Sequence, residues 1–283
     1  MSVTITDVVL RDGLQDEPVV VPVADRVAIA EALTAAGLRQ LEVASFVNPR
    51  RVPRMSGAED LLAALPEGPR YSVLALNARG VERAVAAGAR EVVLVASASR
   101  GHSRANAGKD PDAALSDVAD VVAAHPGVEF VAGVSTAFVC PFDGEIAPEA
   151  AVRIARRFTE LGIRRIGLAD TLGTADPAQV LRTLRAAREA LPGTEFGLHL
   201  HNAHGRALET VDAAIAEGVT RFDSAAGGYG GCPFAPGAHG NIATEDLVAH
   251  LHARGIPTGI NERALTDAVA VLRDALARAT PLT

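Results

Sequence analysis

Two histidines two residues apart, His199 and His201 in GLHLHN, carry the clearest chemistry in the chain. In a strand, residues i and i+2 share a face, so both imidazoles can aim at one point. Such a pair suits chelation of a divalent cation. The competing interpretation, two core histidines satisfied by neighbours, fits a lone histidine better than a pair at a strand end. Asp12 in RDGLQDE and Asn241 in GNIATED would complete an oxygen-rich shell. Two nitrogens with hard oxygens suit Mg²⁺ or Mn²⁺, with Co²⁺ or Zn²⁺ as alternatives.

Other reactive side chains gather around the same short segments. Arg11 precedes Asp12, and Cys232 sits in the glycine-dense run GGYGGCP, where backbone can move and approach a ligand. Cys140 follows an apolar run and precedes proline, so it is expected to pack. Asp7 and Asp223 lie on strands, either orienting ligands or serving as structural acids. Arg50, Arg51 and Arg54 in NPRRVPR face an anionic substrate or solvent. Lys109 is the only lysine and lies in the polar stretch RANAGKDPD, read as a solvated loop. Schiff-base chemistry needs a desolvated lysine or a cationic neighbour, so it is disfavoured here.

These residues must be positioned by regular elements. Strand-like runs occur at 3–10, 41–46, 71–76, 91–96, 129–135, 165–169, 195–201 and 221–225. Helical windows lie near 24–36, 58–64, 79–87, 112–124, 148–161, 177–191, 207–217 and 244–254, with apolar residues at three-and-four spacing. Several close on glycine before the next strand, as in AAGLRQLEV, the left-handed helix cap. Such alternation predicts an α/β chain folded as a (β/α)₈ TIM barrel. The expectation is a single domain, 1–283, with the tail 261–283 as one extra helix. A doubly wound sheet would want a glycine-rich turn after an early strand, and RDGLQDE is charged. In a barrel, residues at the carboxyl ends of strands build the site, and Arg11, Asp12, Glu42, Asp170, His199, His201 and Asn241 all fall there.

Composition removes several classes of function. The chain has 27 Lys+Arg against 34 Asp+Glu, a formal charge of −7. That argues against a nucleic-acid partner or an anionic membrane surface. No apolar run reaches the roughly 20 residues of a membrane helix, and MSVTITDVVL lacks the basic and apolar regions of a secretory signal. Two cysteines do not make a disulfide scaffold. The expectation is a cytoplasmic enzyme, with a homodimer as the candidate assembly.

The ordered set RDGLQDE, LEVASFVNPRRVPRM, SASRGHSRAN, CPFDGE, LADTLG, LHLHNAHGRAL and GGYGGCPFAPGAHGNIATEDLV resembles the 3-hydroxy-3-methylglutaryl-CoA (HMG-CoA) lyase family, within a superfamily of metal-dependent barrel lyases and synthases. The resemblance implies a divalent cation held by Asp12, His199, His201 and Asn241. It also implies a catalytic arginine at Arg11, a catalytic loop cysteine at Cys232, and acidic positions lining the site at Glu42 and Asp170. Gln15 and Asn202, with Glu42 and Asp170, are candidates for contacting substrate or supporting the ligands. The implied products are acetyl-CoA and acetoacetate, from cleavage of an acyl-CoA substrate. His199 and Asp12 both stand as candidates for the base, Arg11 for stabilising the enolate and Cys232 for protonating it. Departures from the family pattern at Pro18, Asn202, Ala203 and His204 bear on the substrate more than on the reaction type. A Claisen synthase of the same superfamily and a non-catalytic binding scaffold are the alternatives. Synthases of that kind typically read RDGEQ, where this chain has RDGLQ.

Overall fold

The computed structural model describes residues 2–231 and 240–282. Eight parallel strands close into a barrel: β1 (Thr4–Asp7), β2 (Gln40–Ser45), β3 (Arg70–Ala75), β4 (Glu91–Ser97), β5 (Glu129–Ser135), β6 (Arg165–Asp170), β7 (Glu195–Leu200) and β8 (Arg221–Ser224). Each strand pairs with its chain neighbours, and β1 closes the ring on β8 with Asp7 opposite Ser224. This is the (β/α)₈ barrel that the alternation predicts.

The helices are α1 (Val23–Ala35), α2 (Ala58–Ala64), α3 (Ala78–Ala86), α4 (Arg100–Ala107), α5 (Pro111–Ala124), α6 (Pro148–Glu160), α7 (Pro177–Ala190), α8 (Ala207–Ala216), α9 (Thr244–Ala253) and α10 (Glu262–Arg278). Glycine ends several of them with positive φ, as at Gly37 (107°) and Gly162 (85°). A side chain at Gly37 would also strike the Gly259 carbonyl.

Three segments depart from the sequence expectation. The first strand stops at Asp7, not at residue 10. Asp7 Oδ1 accepts the Val9 N–H, and the chain turns into a π-helical segment, Val9–Gly13. There the N–H groups of Arg11, Asp12 and Gly13 converge on the Val8 carbonyl at 3.2, 2.7 and 3.2 Å. Val8, Val9 and Leu10 are buried, so their apolar run marked the core correctly and the backbone period wrongly. Wide turns of this kind recur at functional sites, and this one presents Arg11 and Asp12.

The second departure is α4, in a stretch expected to be a loop. Its buried face is polar, His102 and Ser103, so no apolar stripe announces it. Ser99 Oγ caps it by accepting the His102 N–H at 2.9 Å. The third is the tail. Asn261 caps α10, the helix ends at Arg278, and Thr280–Pro281 pairs antiparallel with Val19–Val20. A second short ribbon joins Val139–Cys140 to Gly144–Glu145.

Burial alternates along the strands in an unusual sense. Residues facing the helices, such as Val92, Leu94, Val134, Leu168, Leu198 and Phe222, are buried. Residues facing the barrel axis, including Val93, Val95, Val131, Gly133, Gly167 and Ala169, are only partly covered. The main core is therefore the layer between sheet and helices, while the barrel axis is hollow.

Candidate active site

His199 is the penultimate residue of β7, and His201 comes just after the strand ends, held by an isolated bridge to Asn241. Both rings turn Nε2 to the same point, 3.2 Å apart. Asp12 Oδ2 lies 3.9 Å from His199 Nε2 and 3.7 Å from His201 Nε2. Asn241 Nδ2 donates to Asp12 Oδ2 at 2.8 Å and to the Tyr229 carbonyl at 3.0 Å. Asn241 Oδ1 is buried and has no partner among the described residues. Converging ring nitrogens and a carboxylate, with an amide side chain in contact, are a donor set that suits a divalent cation. Asp12, His199 and His201 thus make up the candidate metal site, with Asn241 beside it.

Asp223 accepts from His199 Nδ1 at 3.3 Å. That bond places the proton on Nδ1 and leaves Nε2 as a lone-pair donor, the usual support for a ligating histidine. Asp7 is the other strand acid, and it serves differently. Its oxygens accept the Val9 and Ala226 N–H groups and the Thr244 hydroxyl, at 2.9, 2.9 and 2.6 Å. It staples the first strand to the loop after the last one.

Arg11 makes a two-point pair with Glu42, Nε to Oε1 at 2.8 Å and Nη2 to Oε2 at 3.0 Å, and also pairs with Asp12. Burial alone would favour its neutral form, but the charges of Asp12 and Glu42 raise it above the ordinary arginine value. Burial also works against the charge on Asp12, yet Arg11, with help from His201 and His199, holds that carboxyl well below its usual range. Glu42 moves upward because burial outweighs Arg11. His199 is disfavoured as a cation by burial, but the Asp223 hydrogen bond and the Asp12 charge raise it overall. The site therefore holds a fixed cation, Arg11, beside an ionised Asp12.

The remaining sequence candidates divide. Gln15 lines the cavity with Arg11, Asp12 and Glu42. Asp170 is buried, and its carboxylate accepts the Gly173 and Ala175 N–H groups at 3.1 and 3.0 Å. Its carbonyl accepts the His201 N–H at 3.3 Å, so it braces the strand behind that histidine. Asn202 Oδ1 accepts the Ala207 N–H at 3.0 Å and thereby secures the start of α8. Cys232 lies outside the described residues. Cys140 is buried as expected, donating to Ser99 Oγ at 2.9 Å. Arg51 and Arg54 line the cavity, whereas Arg50 is exposed and does not.

Sequence reasoning overlooked Asp16 and His102, both in the cavity wall. Burial, with the nearby Asp12 charge, lifts Asp16 to about 6. His102 Nδ1 lies 3.2 Å from Ser97 Oγ, and Ser97 shares a 2.7 Å hydrogen bond with Thr136. Thr136 has φ 48°, an expensive conformation for a β-branched residue. The Ser-x-x-His spacing that caps α4 was the available signal. The cavity as a whole measures about 1210 Å³ and opens at the carboxyl ends of the strands.

The HMGL-like family profile matches residues 2–272. The chain belongs to the HMGL-like family. An (R)-citramalyl-CoA lyase of Chloroflexus aurantiacus is 42% identical over 99% of this chain and 93% of its own. A hydroxymethylglutaryl-CoA lyase of Pseudomonas mevalonii is 41% identical over 93% of this chain and 89% of its own. An HMG-CoA lyase of Acinetobacter baumannii, solved in complex with coenzyme A and 3-methylmalate, superposes with TM-score 0.93 at 37% identity, covering 100% of this chain and 93% of that one. This HMGL-like chain is thus a carbon–carbon lyase of the HMG-CoA lyase type. Among its described residues, no helix is long and apolar enough to cross a membrane.

Proposed function

We propose that the enzyme cleaves HMG-CoA, or a close 3-hydroxy-3-alkylglutaryl-CoA, to acetyl-CoA and acetoacetate or the matching keto acid. The convergence of Arg11, Asp12, His199 and His201 at the mouth of one cavity carries this reading. Mg²⁺ or Mn²⁺ is the proposed cation, held by Asp12, His199, His201 and Asn241. Such an ion would supply Lewis acidity at the C3 hydroxyl when bound.

The residues divide the work of a retro-aldol cleavage. Asp12 or His199 takes the C3 hydroxyl proton, and C3 becomes a carbonyl. The C2–C3 electron pair moves onto C2, leaving the enolate of the thioester. Arg11, locked by Glu42, faces that growing negative charge and needs no reorganisation to stabilise it. Cys232 donates its proton to C2 as general acid and recovers one from the base when the products leave. The proposed setting is cytoplasmic, with the chain acting as one lyase domain.

The test is a panel of HMG-CoA, longer 3-alkyl homologues and citramalyl-CoA, incubated with enzyme and Mg²⁺ and read by product mass. Acetyl-CoA with acetoacetate is the expected pair. Turnover of citramalyl-CoA alone would replace the substrate assignment, and no cleavage of any ester would sink the lyase mechanism.

A further inference from the structure

Asp12 and Asn241 reach the site from opposite ends of the sequence, and neither lies on a strand of the barrel. Asp12 stands on the π-helical segment Val9–Gly13, and Asn241 on the stretch between β8 and α9. No ladder of the barrel sheet fixes either segment, so something else must set where the two side chains meet.

One buried carboxylate touches both segments. Asp7, the last residue of β1, is 1% exposed. Its Oδ1 accepts the N–H of Val9, the first residue of the π-helical segment. Its Oδ2 accepts the Ala226 N–H and the Thr244 hydroxyl, and these two residues bracket the stretch that carries Asn241. Thr244 gives its proton to Asp7, so Ser224 donates to Thr244 Oγ1 at 2.8 Å. Above this anchor the segments are in close contact. A Cβ at Gly230 would lie 2.6 Å from Asn241 Nδ2 and 3.1 Å from the Asp12 carbonyl oxygen. A shift of either segment is therefore felt by the other.

Stability does not account for the charge on Asp7. Burial pushes its carboxyl up to about 6, and Glu245 in the first turn of α9 adds to the rise. Glu245 Oε2 itself accepts the Gly227 N–H at 3.0 Å. At neutral pH the carboxylate is thus ionised against the preference of its surroundings. A charge kept at a cost in stability is expected where function uses it.

We propose that Asp7 is a positioning residue for the cation site: its carboxylate fixes Asp12 and Asn241 relative to each other, and its protonation loosens that register. The inference rests on the proposed ligand set of Asp12, His199, His201 and Asn241. An ionised carboxylate accepts from all three donors at once. A protonated one carries hydrogen on an oxygen that faces a donor. Thr244 can turn to accept that hydrogen and pass its own to Ser224, but the Ala226 N–H cannot turn. The side that carries Asn241 therefore loosens first.

The experiment measures calorimetric Mn²⁺ affinity between about pH 8 and pH 5, across the range in which a carboxyl raised to about 6 titrates. The proteins are the unaltered enzyme, Asp7→Asn and Thr244→Val, each checked by circular dichroism and thermal unfolding. All three share His199, so its own titration cancels in their ratios. Asp7→Asn should bind Mn²⁺ at least about tenfold more weakly at the upper pH, the low end for groups behind the ligands. The deficit should shrink to within about threefold at the lower pH, where the natural carboxyl is protonated as well. Thr244→Val removes one donor and keeps the carboxylate. It should weaken binding by about three- to tenfold at the upper pH, the worth of one hydrogen bond to a charged group, and keeps the experiment decisive if Asp7→Asn does not fold. Either variant binding as tightly as the unaltered enzyme at the upper pH would overturn the proposal. So would an Asp7→Asn deficit that does not change with pH, which is the mark of a structural loss unrelated to the charge. If the unaltered enzyme binds no Mn²⁺, the ligand set itself fails, and the role of Asp7 falls with it.

Discussion

The Nε2 atoms of His199 and His201 stand 3.2 Å apart, with the Asp12 carboxylate closing the triangle. Two ring nitrogens at that separation share either a proton or a cation. Asn241, whose Nδ2 donates to that carboxylate and whose buried Oδ1 has no partner among the described residues, favours the cation, because a shared proton leaves that oxygen with nothing to accept. Chelator should abolish activity, and Mg²⁺ or Mn²⁺ should restore it. His201→Ala should weaken calorimetric metal affinity by more than about 100-fold, beyond the usual loss for residues behind the ligands. Unchanged affinity would show that the pair is not the ligand set.

Proton competition should be visible in the same titration. The carboxylates of Asp223 and Asp12 raise His199 despite its burial. Its ring therefore holds a proton at higher pH than an ordinary histidine, near 6.5, and a metal must displace it. Metal affinity should begin to fall, as pH is lowered, above about 6.5. With Asp223→Asn the onset should move down; an unmoved onset would detach Asp223 from the histidine.

Arg11 is held by two parallel hydrogen bonds to Glu42, which a lysine cannot reproduce. Arg11→Lys should lower kcat by about 10²–10³-fold, the worth of one preorganised donor, while circular dichroism remains unchanged. A lysine enzyme with near-normal kcat would mean that charge alone suffices and the locked fork does not matter.

Asn202 and Cys232 test opposite expectations. Asn202 Oδ1 serves the N–H of Ala207, and aspartate keeps that acceptor. Asn202→Asp should leave metal affinity within about tenfold. Cys232→Ala should lower kcat by about 10²–10⁴-fold with little change in KM. Because Cys140 is buried, mild alkylation should report on Cys232, inactivating the enzyme unless a substrate analogue protects it. Near-normal kcat in the alanine variant would move the proton donation elsewhere.

Asp7 predicts a pH dependence of stability. Burial pushes its carboxyl up to about 6 in the folded protein, despite its three hydrogen bonds. The unfolded chain should titrate near 3.9. The folded state then binds the extra proton between those values, so Asp7 favours folding below about pH 4 and loses that advantage as pH rises to about 6. Relative to Asp7→Asn, the natural protein should lose up to about 3 kcal/mol across that window in urea unfolding. A difference that is flat or rises with pH would refute the buried, raised carboxyl.

Much of the barrel could be read from the sequence because its strands repeat one device, an apolar run closed by charged or polar residues at the mouth. His199 and His201 were readable for the same reason: alternation on a strand forces them to one face. The turn at Val9–Gly13 was not, because three buried apolar residues in a row look the same in a strand and in a π-helical turn. Helix α4 was hidden by the opposite failure, since its inner face is His102 and Ser103. The acids show a subtler limit. Asp7 and Asp223 both sit on strands among apolar residues, yet one accepts three hydrogen bonds that close the barrel and the other accepts from a histidine. Only the partners brought by distant strands separate the two.

The division between a packed outer layer and a hollow axis has a consequence for mutational tolerance. Outward-facing strand positions such as Leu94, Leu168 and Phe222 are sealed against the helices, where each lost methylene leaves a cavity costing about 1 kcal/mol or more. Inward positions such as Val93, Val131 and Gly167 border open space, so changes there spare expression and folding. A saturation library of this enzyme would therefore separate cleanly: outward sites should dominate loss of soluble protein, and inward sites should dominate changes in which ester is consumed.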